Sequence, residues 1–272
     1  MKPFPKYMQI ETTILCNASC EFCGHRFVKR RPVYMDERVF RKIVDETRGQ
    51  GITYRPFLIN EPFMDKRMPD LVRYIKEDPT AKVELNSNAE VLTHDKADAV
   101  IEAGIDLIKF SIDGFSQETA GKTRGINYEK TRDNALYFLK RVAEVGASVV
   151  SHVRMIEMPE NRHEKEDFVK FWSEYATEAV ITMQYTWAWD GEVEMARKPC
   201  RKVLEEMFFY VDGRATLCCW DAEERAVIGD VNEKTVSEIW TGETNRQYRE
   251  WLAKGQREKI ELCSKCDAYK ND

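Results

Sequence analysis

The chain contains the stretch Cys16-Asn17-Ala18-Ser19-Cys20-Glu21-Phe22-Cys23, which closely follows a strand-like run at residues 7–12. Its C-x3-C-x2-C spacing suits three thiolates that ligate three irons of one iron–sulfur cluster. No fourth cysteine lies nearby in the sequence, so one iron of such a cluster is left to bind a small molecule. A zinc ion held by the three cysteines and His25 is the alternative interpretation.

Around this stretch the chain alternates between β-rich runs and amphipathic segments, which predicts strands followed by helices. The predicted strands are residues 7–12, 54–59, 82–86, 107–112, 148–156 and 179–185. Asp36 and Thr93 are suited to begin two of the helices as N-caps. Six such units predict a parallel α/β protein, either a doubly wound sheet or a partial barrel. In both folds functional side chains lie at the carboxyl ends of the strands.

The composition excludes several classes of protein. Eight cysteines in 272 residues are too few for a disulfide scaffold. The 42 basic and 47 acidic side chains give a net charge of −5, which argues against general nucleic-acid binding. No apolar run is long enough for a membrane helix, and the N-terminus lacks the apolar segment of a signal peptide. We therefore expect a cytoplasmic protein whose cysteines serve as ligands or catalysts.

The last third of the chain does not continue the alternation of strands and helices. Asp212-Gly213 lies between two β-rich runs and predicts a hairpin, and Thr235 is suited to cap a short helix at residues 236–240. The five remaining cysteines are Cys200, Cys218, Cys219, Cys263 and Cys266. Four thiolates from three segments can close a cluster completely or hold a structural zinc ion. This segment is therefore predicted to be a small domain held together by a metal centre.

The first cysteine motif, with Phe22 before its last cysteine, resembles the radical SAM family over residues 7–186. The resemblance implies a partial (β/α)6 barrel similar to a TIM barrel, in agreement with the six units. It also implies that Cys16, Cys20 and Cys23 hold a 4Fe–4S cluster whose open iron chelates S-adenosyl-L-methionine (SAM). One electron then cleaves SAM to methionine and a 5′-deoxyadenosyl radical, which abstracts hydrogen from a substrate.

Further motifs of the family can be carried over by position. Asn60-Glu61-Pro62 stands where the family has Gly-Glu-Pro, and the resemblance implies that Glu61 and neighbouring carbonyls hold the SAM ammonium. Ser87-Asn88 stands where Thr-Asn-Gly often follows the third strand. We expect Phe22, Asn60, Glu61, Ser87 and Asn88 to lie at the cofactor.

The fourth predicted strand ends in Ser111-Ile112-Asp113-Gly114, which matches the S-x-D-G motif of the family. Arg124 matches the arginine that follows it. Ser111 and Arg124 then suit the SAM carboxylate, because an arginine can clamp a carboxylate with two hydrogen bonds. Asp113 suits a ribose or substrate hydroxyl.

The C-terminal segment resembles the SPASM, or shortened twitch, domain of radical SAM enzymes. The matching features are Asp212-Gly213-x4-Cys218, the following Asp221, residues 228–231 and 237–240, and Cys263-x2-Cys266. The resemblance selects Cys218 as a ligand beside Cys200, Cys263 and Cys266, and implies one auxiliary 4Fe–4S cluster. It predicts two domains, residues 1–186 and 187–272.

Cys219 is left over from both sets of ligands. It is either a small buried apolar side chain beside the auxiliary cluster or a hydrogen-atom donor, as in some radical SAM epimerases. The residue types do not separate these two roles.

A fully ligated auxiliary cluster is suited to electron transfer, which points to a two-electron oxidation of a carbinol to a ketone. The chain resembles the 2-deoxy-scyllo-inosamine dehydrogenases and related aminocyclitol- or sugar-modifying enzymes. The catalytic candidates are Arg154, Cys219 and Asp221. Further substrate candidates at the last two strand ends are His152, Glu157, Tyr185, Trp187, Trp189 and Asp190.

Three other functions remain open. They are epimerisation with Cys219 as hydrogen donor, crosslinking or other modification of a peptide, and non-enzymatic cluster or zinc binding. We expect a small-molecule or peptide substrate and a flavodoxin- or ferredoxin-type electron donor, but no nucleic-acid or membrane partner. The first strand begins at residue 7, which we take as a sign against the N-terminal leader-binding domain that peptide-modifying members often carry.

Overall fold

Six parallel strands form the main sheet, as shown by a computed structural model that describes residues 4–183, 200–264 and 266. The strands are β1 (Tyr7–Ile10), β2 (Thr53–Arg55), β3 (Lys82–Ser87), β4 (Leu107–Ser111), β5 (Val150–Glu157) and β6 (Glu178–Met183). Each pairs in parallel with the next along the chain. The helices between them are α1 (Glu37–Asp45), α2 (Met68–Lys76), α3 (His94–Glu102), α4 (Gln117–Arg124), α5 (Tyr128–Glu144) and α6 (Lys165–Trp172). The prediction of a partial (β/α)6 barrel is confirmed.

Local sequence signals set the helix starts. The Asp36 side chain accepts a hydrogen bond from the Arg38 amide at the start of α1, and Thr93 does the same for Lys96 at the start of α3. Each cap satisfies an amide that has no partner within its helix. The apolar face of α1 is buried against the sheet, as its spacing predicts.

The second strand is shorter than predicted, and this shortening builds part of the site. Residues 54–59 were expected to be strand, but β2 ends at Arg55 because Pro56 follows, which has no amide to donate to a sheet. The Phe57 amide then turns back to the Arg55 carbonyl oxygen, and the Leu58 amide donates to Asn60 Oδ1. The chain thus leaves the sheet early and presents residues 58–61 at its carboxyl end.

The C-terminal segment adds strands to the same sheet, which the sequence did not predict. It contains α7 (Arg201–Glu205), β7 (Glu206–Phe209), β8 (Arg214–Thr216), β9 (Val227–Asp230), α8 (Val236–Thr241), α9 (Glu243–Ala253) and α10 (Glu261–Ser264). The hairpin predicted at Asp212-Gly213 is present between β7 and β8. Strand β7 pairs in parallel with β1, so the sheet order is β6-β5-β4-β3-β2-β1-β7-β8-β9. The open edge of β1 is thereby covered, which satisfies its backbone groups.

A buried ion pair also joins the barrel to this segment. Arg30 donates from Nε and Nη2 to the two carboxylate oxygens of Glu11, at 2.7 and 2.9 Å, and from Nη1 to the carbonyl oxygen of Ala222. The Val211 amide donates to the same carboxylate. These bonds fix residues just after β1 and β7 relative to each other. No helix in the described part of the chain is long and apolar enough to cross a membrane.

Candidate active site

The loop after β1 gathers three thiols at one edge of the sheet. The Cys23 amide donates to the Cys20 carbonyl oxygen, and the Ser19 amide donates to the Arg124 carbonyl oxygen at the end of α4. Gly125 follows with φ +66°, a left-handed conformation that favours glycine, and a Cβ there would lie 2.1 Å from Ser19 Oγ. Burial raises the pKa of all three thiols, that of Cys16 to about 12. Iron binding must therefore displace their protons.

The three thiols line a pocket of about 450 Å³ at the carboxyl ends of the strands. The other sequence-predicted residues that line it are Phe22, Asn60, Glu61, Ser87, Asn88, Ser111, Arg124, Arg154 and Cys219. These residues come from five different strand ends and from the C-terminal segment. One cavity therefore contains both the open three-thiol set and the side chains expected around a cofactor.

Glu61 organises the loops on one side of the pocket. Its buried carboxylate accepts hydrogen bonds from the Ser87 hydroxyl at 2.8 Å, the Asn88 amide at 2.8 Å and the Phe63 amide at 3.2 Å. A carboxylate has about four acceptor positions, so one is left for a ligand in the pocket. Burial nevertheless raises the pKa of Glu61 to about 7, because three neutral donors do not replace its hydration.

Asn60 provides a test of whether the pocket fits SAM. Its Oδ1 accepts from the Leu58 amide, while its Nδ2 is buried and has no hydrogen-bond partner among the residues that the structure describes. A buried donor without a partner is costly, and a ligand acceptor in the pocket would remove that cost. The open acceptor position of Glu61 and this donor together match an ammonium and a carboxylate. The residues present therefore fit the amino-acid end of SAM.

Arg124 connects the thiol loop to the end of β4. Its Nε and Nη2 donate to Asp113 Oδ2 at 2.7 and 2.6 Å, its Nη1 lies 3.6 Å from Cys20 Sγ, and its guanidinium lies over the Phe22 ring. Burial alone would lower the pKa of Arg124, but Asp113 and Cys20 outweigh it. Three of its five donor positions are used, which leaves two for a carboxylate in the pocket.

Asp113 has a different position from the one expected of a hydroxyl ligand. It is fully buried and is absent from the residues that line the described pocket. Oδ2 holds Arg124 and Oδ1 accepts from the Ile156 amide at 2.7 Å. Its φ of +56° turns the chain at the end of β4. We therefore assign Asp113 the positioning of Arg124 rather than contact with a ribose.

The zinc alternative for the first set of thiols gains no support. His25 Nε2 is 2.8 Å from the Ile14 carbonyl oxygen, and donation to that oxygen occupies this ring nitrogen.

The second set of thiols lies apart from the pocket. Cys200, Cys218 and Cys263 pack in a small apolar cluster with Leu217 and its neighbours. Burial raises the pKa of the Cys263 thiol to about 12, with Cys266 and Cys200 as further causes. The four predicted ligands are thus close together, and none of them is among the described residues that line the pocket. No disulfide joins any of the eight cysteines, all of which the structure describes. A complete four-thiol set fits a closed iron–sulfur cluster.

Cys219 faces the opposite way from its neighbour in the chain. It lines the pocket together with Lys202 and Trp220, whereas Cys218 faces the second set of thiols. The two thiols are hydrogen-bonded to each other, which raises the pKa of Cys218 and lowers that of Cys219. Cys219 therefore stands between the pocket and the closed thiol set, where it can contact a substrate.

Asp221 and Glu157 take part in local structure instead of lining the pocket. Asp221 is fully buried and accepts hydrogen bonds from the Thr216 hydroxyl and the Arg225 and Ala226 amides, which hold the loop after β8. Glu157 forms ion pairs with Arg162 and Lys165 at the protein exterior. We therefore do not retain Asp221 as a catalytic candidate.

Of the remaining substrate candidates, Arg154 lines the pocket and His152 lies two residues earlier on β5, beside Glu178. Tyr185, Trp187, Trp189 and Asp190 lie outside the described residues.

Sequence reasoning missed several charged residues of the pocket. They are Arg55 on β2, Lys109 on β4, Lys202 on α7 and Glu206 on β7, together with Glu84, which pairs with Arg55 and Lys109. Charged residues within otherwise apolar strands were the available signal, since a buried strand carries a charge only at a position that faces polar surroundings. Lys202 and Glu206 offered no such signal before β7 was known to pair with β1.

The chain belongs to the radical SAM superfamily, whose model matches residues 10–171. A second model, the SPASM iron–sulfur cluster-binding domain, matches residues 200–267. The protein is therefore an enzyme whose barrel binds a 4Fe–4S cluster and SAM, and whose C-terminal segment is an iron–sulfur cluster-binding domain.

Several known proteins are similar to this chain. The cofactor-modifying protein for tungsten-containing aldehyde ferredoxin oxidoreductase of Pyrococcus furiosus is 22% identical, over 90% of this chain and 83% of its own length. The PqqA peptide cyclase of Methylorubrum populi is 25% identical over 69% of this chain, which spans 48% of that enzyme. The chain spans only 34% of the GTP 3′,8-cyclase of Chlorobaculum tepidum, at 28% identity over 41% of its own length. The crystal structure of BtrN with AdoMet and 2-DOIA has a TM-score of 0.69 at 17% identity and covers 98% of this chain and 94% of BtrN.

Replacing Glu61 with glutamine is expected to weaken SAM binding by roughly tenfold or more. The variant loses a charge-assisted bond to the SAM ammonium, worth about 1.5–3 kcal/mol. Equilibrium binding of SAM to the reconstituted protein measures this, with the exposed Glu118→Gln as matched control. Equal affinity in Glu61→Gln and the parent protein would exclude the proposed contact.

Glu61→Gln is also expected to change how the free energy of unfolding depends on pH in the absence of SAM. The folded-state pKa of Glu61, about 7, is above its unfolded value of 4.5, so the stability that its neutral form contributes is lost as pH rises. Between pH 5 and 8 the parent protein should lose about 2–3 kcal/mol relative to Glu61→Gln. Denaturant unfolding at both pH values measures the difference, and a pH-independent difference would contradict it.

Proposed function

We propose that this chain is a radical SAM oxidoreductase that oxidises a carbinol carbon of a sugar- or aminocyclitol-like molecule to a ketone. We further propose that residues 1–186 form the catalytic barrel and residues 187–272 the electron-accepting domain. The enzyme would act in the cytoplasm and receive its activating electron from a flavodoxin- or ferredoxin-type donor.

The separation of the two thiol sets carries this proposal. Cys16, Cys20 and Cys23 open onto the pocket, whereas the complete set around Cys218 does not. A fully ligated cluster has no iron to offer a substrate, so electron transfer is the chemistry left to it. The adjacent residues Cys218 and Cys219 connect that cluster site to the pocket wall. This short connection favours an oxidation in which the substrate gives up an electron to the auxiliary cluster.

The protein's own side chains hold and orient the reactants. Asn60, Glu61 and Arg124 would hold the amino-acid end of SAM, which with the three-thiol cluster supplies a radical that removes hydrogen from carbon. Arg154 is suited to position the substrate hydroxyl and to stabilise negative charge on it, because a guanidinium is a poor proton acceptor. Glu206, held by Gln9 Nε2 at 2.9 Å and by Arg55, is the carboxylate in the pocket that we propose to take the hydroxyl proton.

The comparisons support a small-molecule substrate without identifying it. BtrN, which matches nearly the whole chain in fold, was solved in complex with AdoMet and 2-DOIA. The dehydrogenases that the sequence resembles also combine a barrel with a single auxiliary cluster. The decisive experiment incubates the reconstituted enzyme with candidate sugars and aminocyclitols, where a carbonyl product and one 5′-deoxyadenosine per turnover are expected.

Peptide modification is the second candidate function. It is supported by the similarity to PqqA peptide cyclase over 69% of this chain. A peptide product that has lost two hydrogens, formed while sugars and aminocyclitols remain unchanged, would replace the small-molecule proposal.

Epimerisation is a further alternative, because Cys219 lies in the pocket wall. The variant Cys219→Ala distinguishes epimerisation from dehydrogenation. For a dehydrogenase we expect the variant to retain carbonyl formation within about threefold, because the thiol is not required for oxidation. For an epimerase that uses Cys219 as hydrogen donor, the variant would lose turnover. The parent enzyme in heavy water would then place deuterium in its product. Mass spectrometry of product and 5′-deoxyadenosine measures both outcomes, and deuterium incorporation without carbonyl product would overturn the dehydrogenase proposal.

A further inference from the structure

A pair of asparagines joins the thiol loop to the loop that follows β3. Asn17 lies between two of the predicted iron ligands, Cys16 and Cys20, and Asn88 comes directly after β3. Asn88 Nδ2 donates to Asn17 Oδ1 at 3.0 Å, and Asn17 Nδ2 donates to Asn88 Oδ1 at 3.4 Å. The two side-chain amides therefore connect the loop that carries the three thiols to the loop at the end of β3.

The carboxylate of Glu90 supports this pair from outside the pocket. Its Oε2 accepts a hydrogen bond from Asn17 Nδ2, and its Oε1 accepts one at 3.0 Å from the Asn127 amide, where α5 begins. The Glu90 amide donates to Asn88 Oδ1 at 3.0 Å. Neither Asn17 nor Glu90 is among the described residues that line the pocket. One residue thus contacts the thiol loop, the loop after β3 and the start of α5.

The direction and the position of these groups are fixed by their neighbours. An ionised carboxylate only accepts hydrogen bonds, so the nitrogen of the Asn17 amide faces Glu90 and its oxygen faces Asn88. Asn134 Nδ2 donates to the carbonyl oxygens of Ala89 and Glu90, at 2.9 and 3.0 Å. These bonds hold the backbone beside Glu90, where Ala89 has φ +63°, in the left-handed region that favours glycine.

The loop after β3 also holds the carboxylate that is expected at the SAM ammonium. The Ser87 hydroxyl and the Asn88 amide each donate to Glu61 at 2.8 Å. Hydrogen bonds therefore connect Asn17 on the thiol loop, through Asn88, to Glu61. Because SAM has to reach both the open iron of the cluster and Glu61, the separation of the two loops decides whether both contacts form.

We propose that Glu90 is a positioning residue for SAM, which acts through Asn17 and Asn88 to fix the separation between the three-thiol cluster and Glu61. Its bond from Asn17 is charge-assisted and therefore stronger than a bond between two amides. Residues that orient metal ligands from behind contribute roughly tenfold or more to affinity or activity. The inference concerns SAM binding only, so it does not depend on the substrate or on the oxidation proposed above.

Glu90→Gln is expected to weaken SAM binding by roughly tenfold or more without changing the iron content. The glutamine keeps the size of the side chain but has one acceptor oxygen in place of two, so it serves either Asn17 or Asn127 and not both. Equilibrium binding to the reconstituted protein measures the affinity, and electron paramagnetic resonance of the reduced cluster with SAM should show a changed signal. Glu129→Gln removes an exposed carboxylate from the first turn of α5 and, as the control, should bind SAM as the parent protein does.

Reversing the donor and the acceptor tests the contact itself. Asn17→Asp sets a second carboxylate against Glu90, and the repulsion should weaken SAM binding at least as much as Glu90→Gln does. In the double variant Asn17→Asp, Glu90→Gln, the glutamine nitrogen can donate to the new carboxylate while its oxygen accepts from the Asn127 amide. We expect the double variant to recover the parent resonance signal and a SAM affinity within about threefold of the parent value.

Four results would overturn the inference. One is a parent-like SAM affinity in Glu90→Gln, and another is an equal loss in Glu129→Gln, which would show an effect of charge alone. A third is a double variant that loses as much affinity as its two single variants combined, because that excludes the direct contact. The last is loss of the SAM-binding cluster from Glu90→Gln, which would assign Glu90 to cluster retention in place of SAM placement.

Discussion

Replacing Cys20 with alanine is expected to abolish reductive cleavage of SAM and to lower the iron content from about eight to about four per chain. Cys20 belongs to the thiol set that opens onto the pocket. At that end of the pocket the described structure has only Cys16 and Cys23 besides Cys20, so no further cysteine can replace it. Two thiolates do not retain a 4Fe–4S cluster that needs three. Iron analysis and quantification of 5′-deoxyadenosine after dithionite reduction measure the two effects.

Two matched variants make this prediction specific. Cys218→Ala should also lose about four irons but keep SAM cleavage, because it removes a ligand of the closed set. Cys219→Ala should keep about eight irons, since its side chain faces the pocket. SAM cleavage by a folded Cys20→Ala protein would disprove the assignment of Cys16, Cys20 and Cys23 as the ligands of the SAM-binding cluster. If Cys219→Ala lost iron and Cys218→Ala did not, Cys219 would be the ligand of the auxiliary cluster in place of Cys218.

Replacing Asp113 with alanine is expected to destabilise the fold by about 3–5 kcal/mol, because it leaves Arg124 buried without its counter-ion. The Ile156 amide loses its acceptor in the same variant. Arg124 would then lose its fixed orientation toward the pocket and Cys20, so SAM affinity should fall as well. Denaturant unfolding of the protein without SAM gives the stability, and equilibrium binding gives the affinity of the fraction that folds.

The double variant Asp113→Ala, Arg124→Met distinguishes a buried ion pair from a general packing defect. Removing both charges should recover part of the stability lost in the single variant, since no uncompensated charge remains. The exposed pair Asp36 and Arg38 supplies the control, and Asp36→Ala should destabilise the fold much less than Asp113→Ala, through the loss of its N-cap bond. A double variant as unstable as the sum of its single variants would contradict the ion-pair explanation.

Much of the barrel was predictable because its signals are local. Strand runs, the Asp36 and Thr93 caps and the hairpin at Asp212-Gly213 each depend on a few neighbouring residues, and the structure has a strand at each of the six runs, both caps and the hairpin. The early end of β2 is also a local effect, because Pro56 ends the strand. The apolar residues after Pro56 had led to the prediction of a longer strand. The positions of Glu61 and Arg124 at the pocket followed from one rule, that parallel strands bring their carboxyl ends to the same edge.

Other features depend on residues far apart in the sequence, and no local pattern encodes them. The pairing of β7 with β1 brings Lys202 and Glu206 to Arg55, about 150 positions earlier in the chain. The side chain of Asp113 likewise contacts Arg124 and the Ile156 amide, whereas the sequence motif predicted contact with a hydroxyl. In each case the role of a polar side chain depends on which group lies within hydrogen-bond distance.

The sequence by itself determined the chemistry available to this protein: a three-thiol motif on a strand-end loop, a family of enzymes and a second set of cysteines. Connectivity is sufficient for this, since ligands three and four residues apart remain close in any compact loop. Only the tertiary structure decided that Cys219 faces the pocket while Cys218 faces the closed set, and that Glu206 lies against Arg55. Those facts arise from packing between distant segments, where burial makes every unpaired charge and every neighbouring thiol consequential.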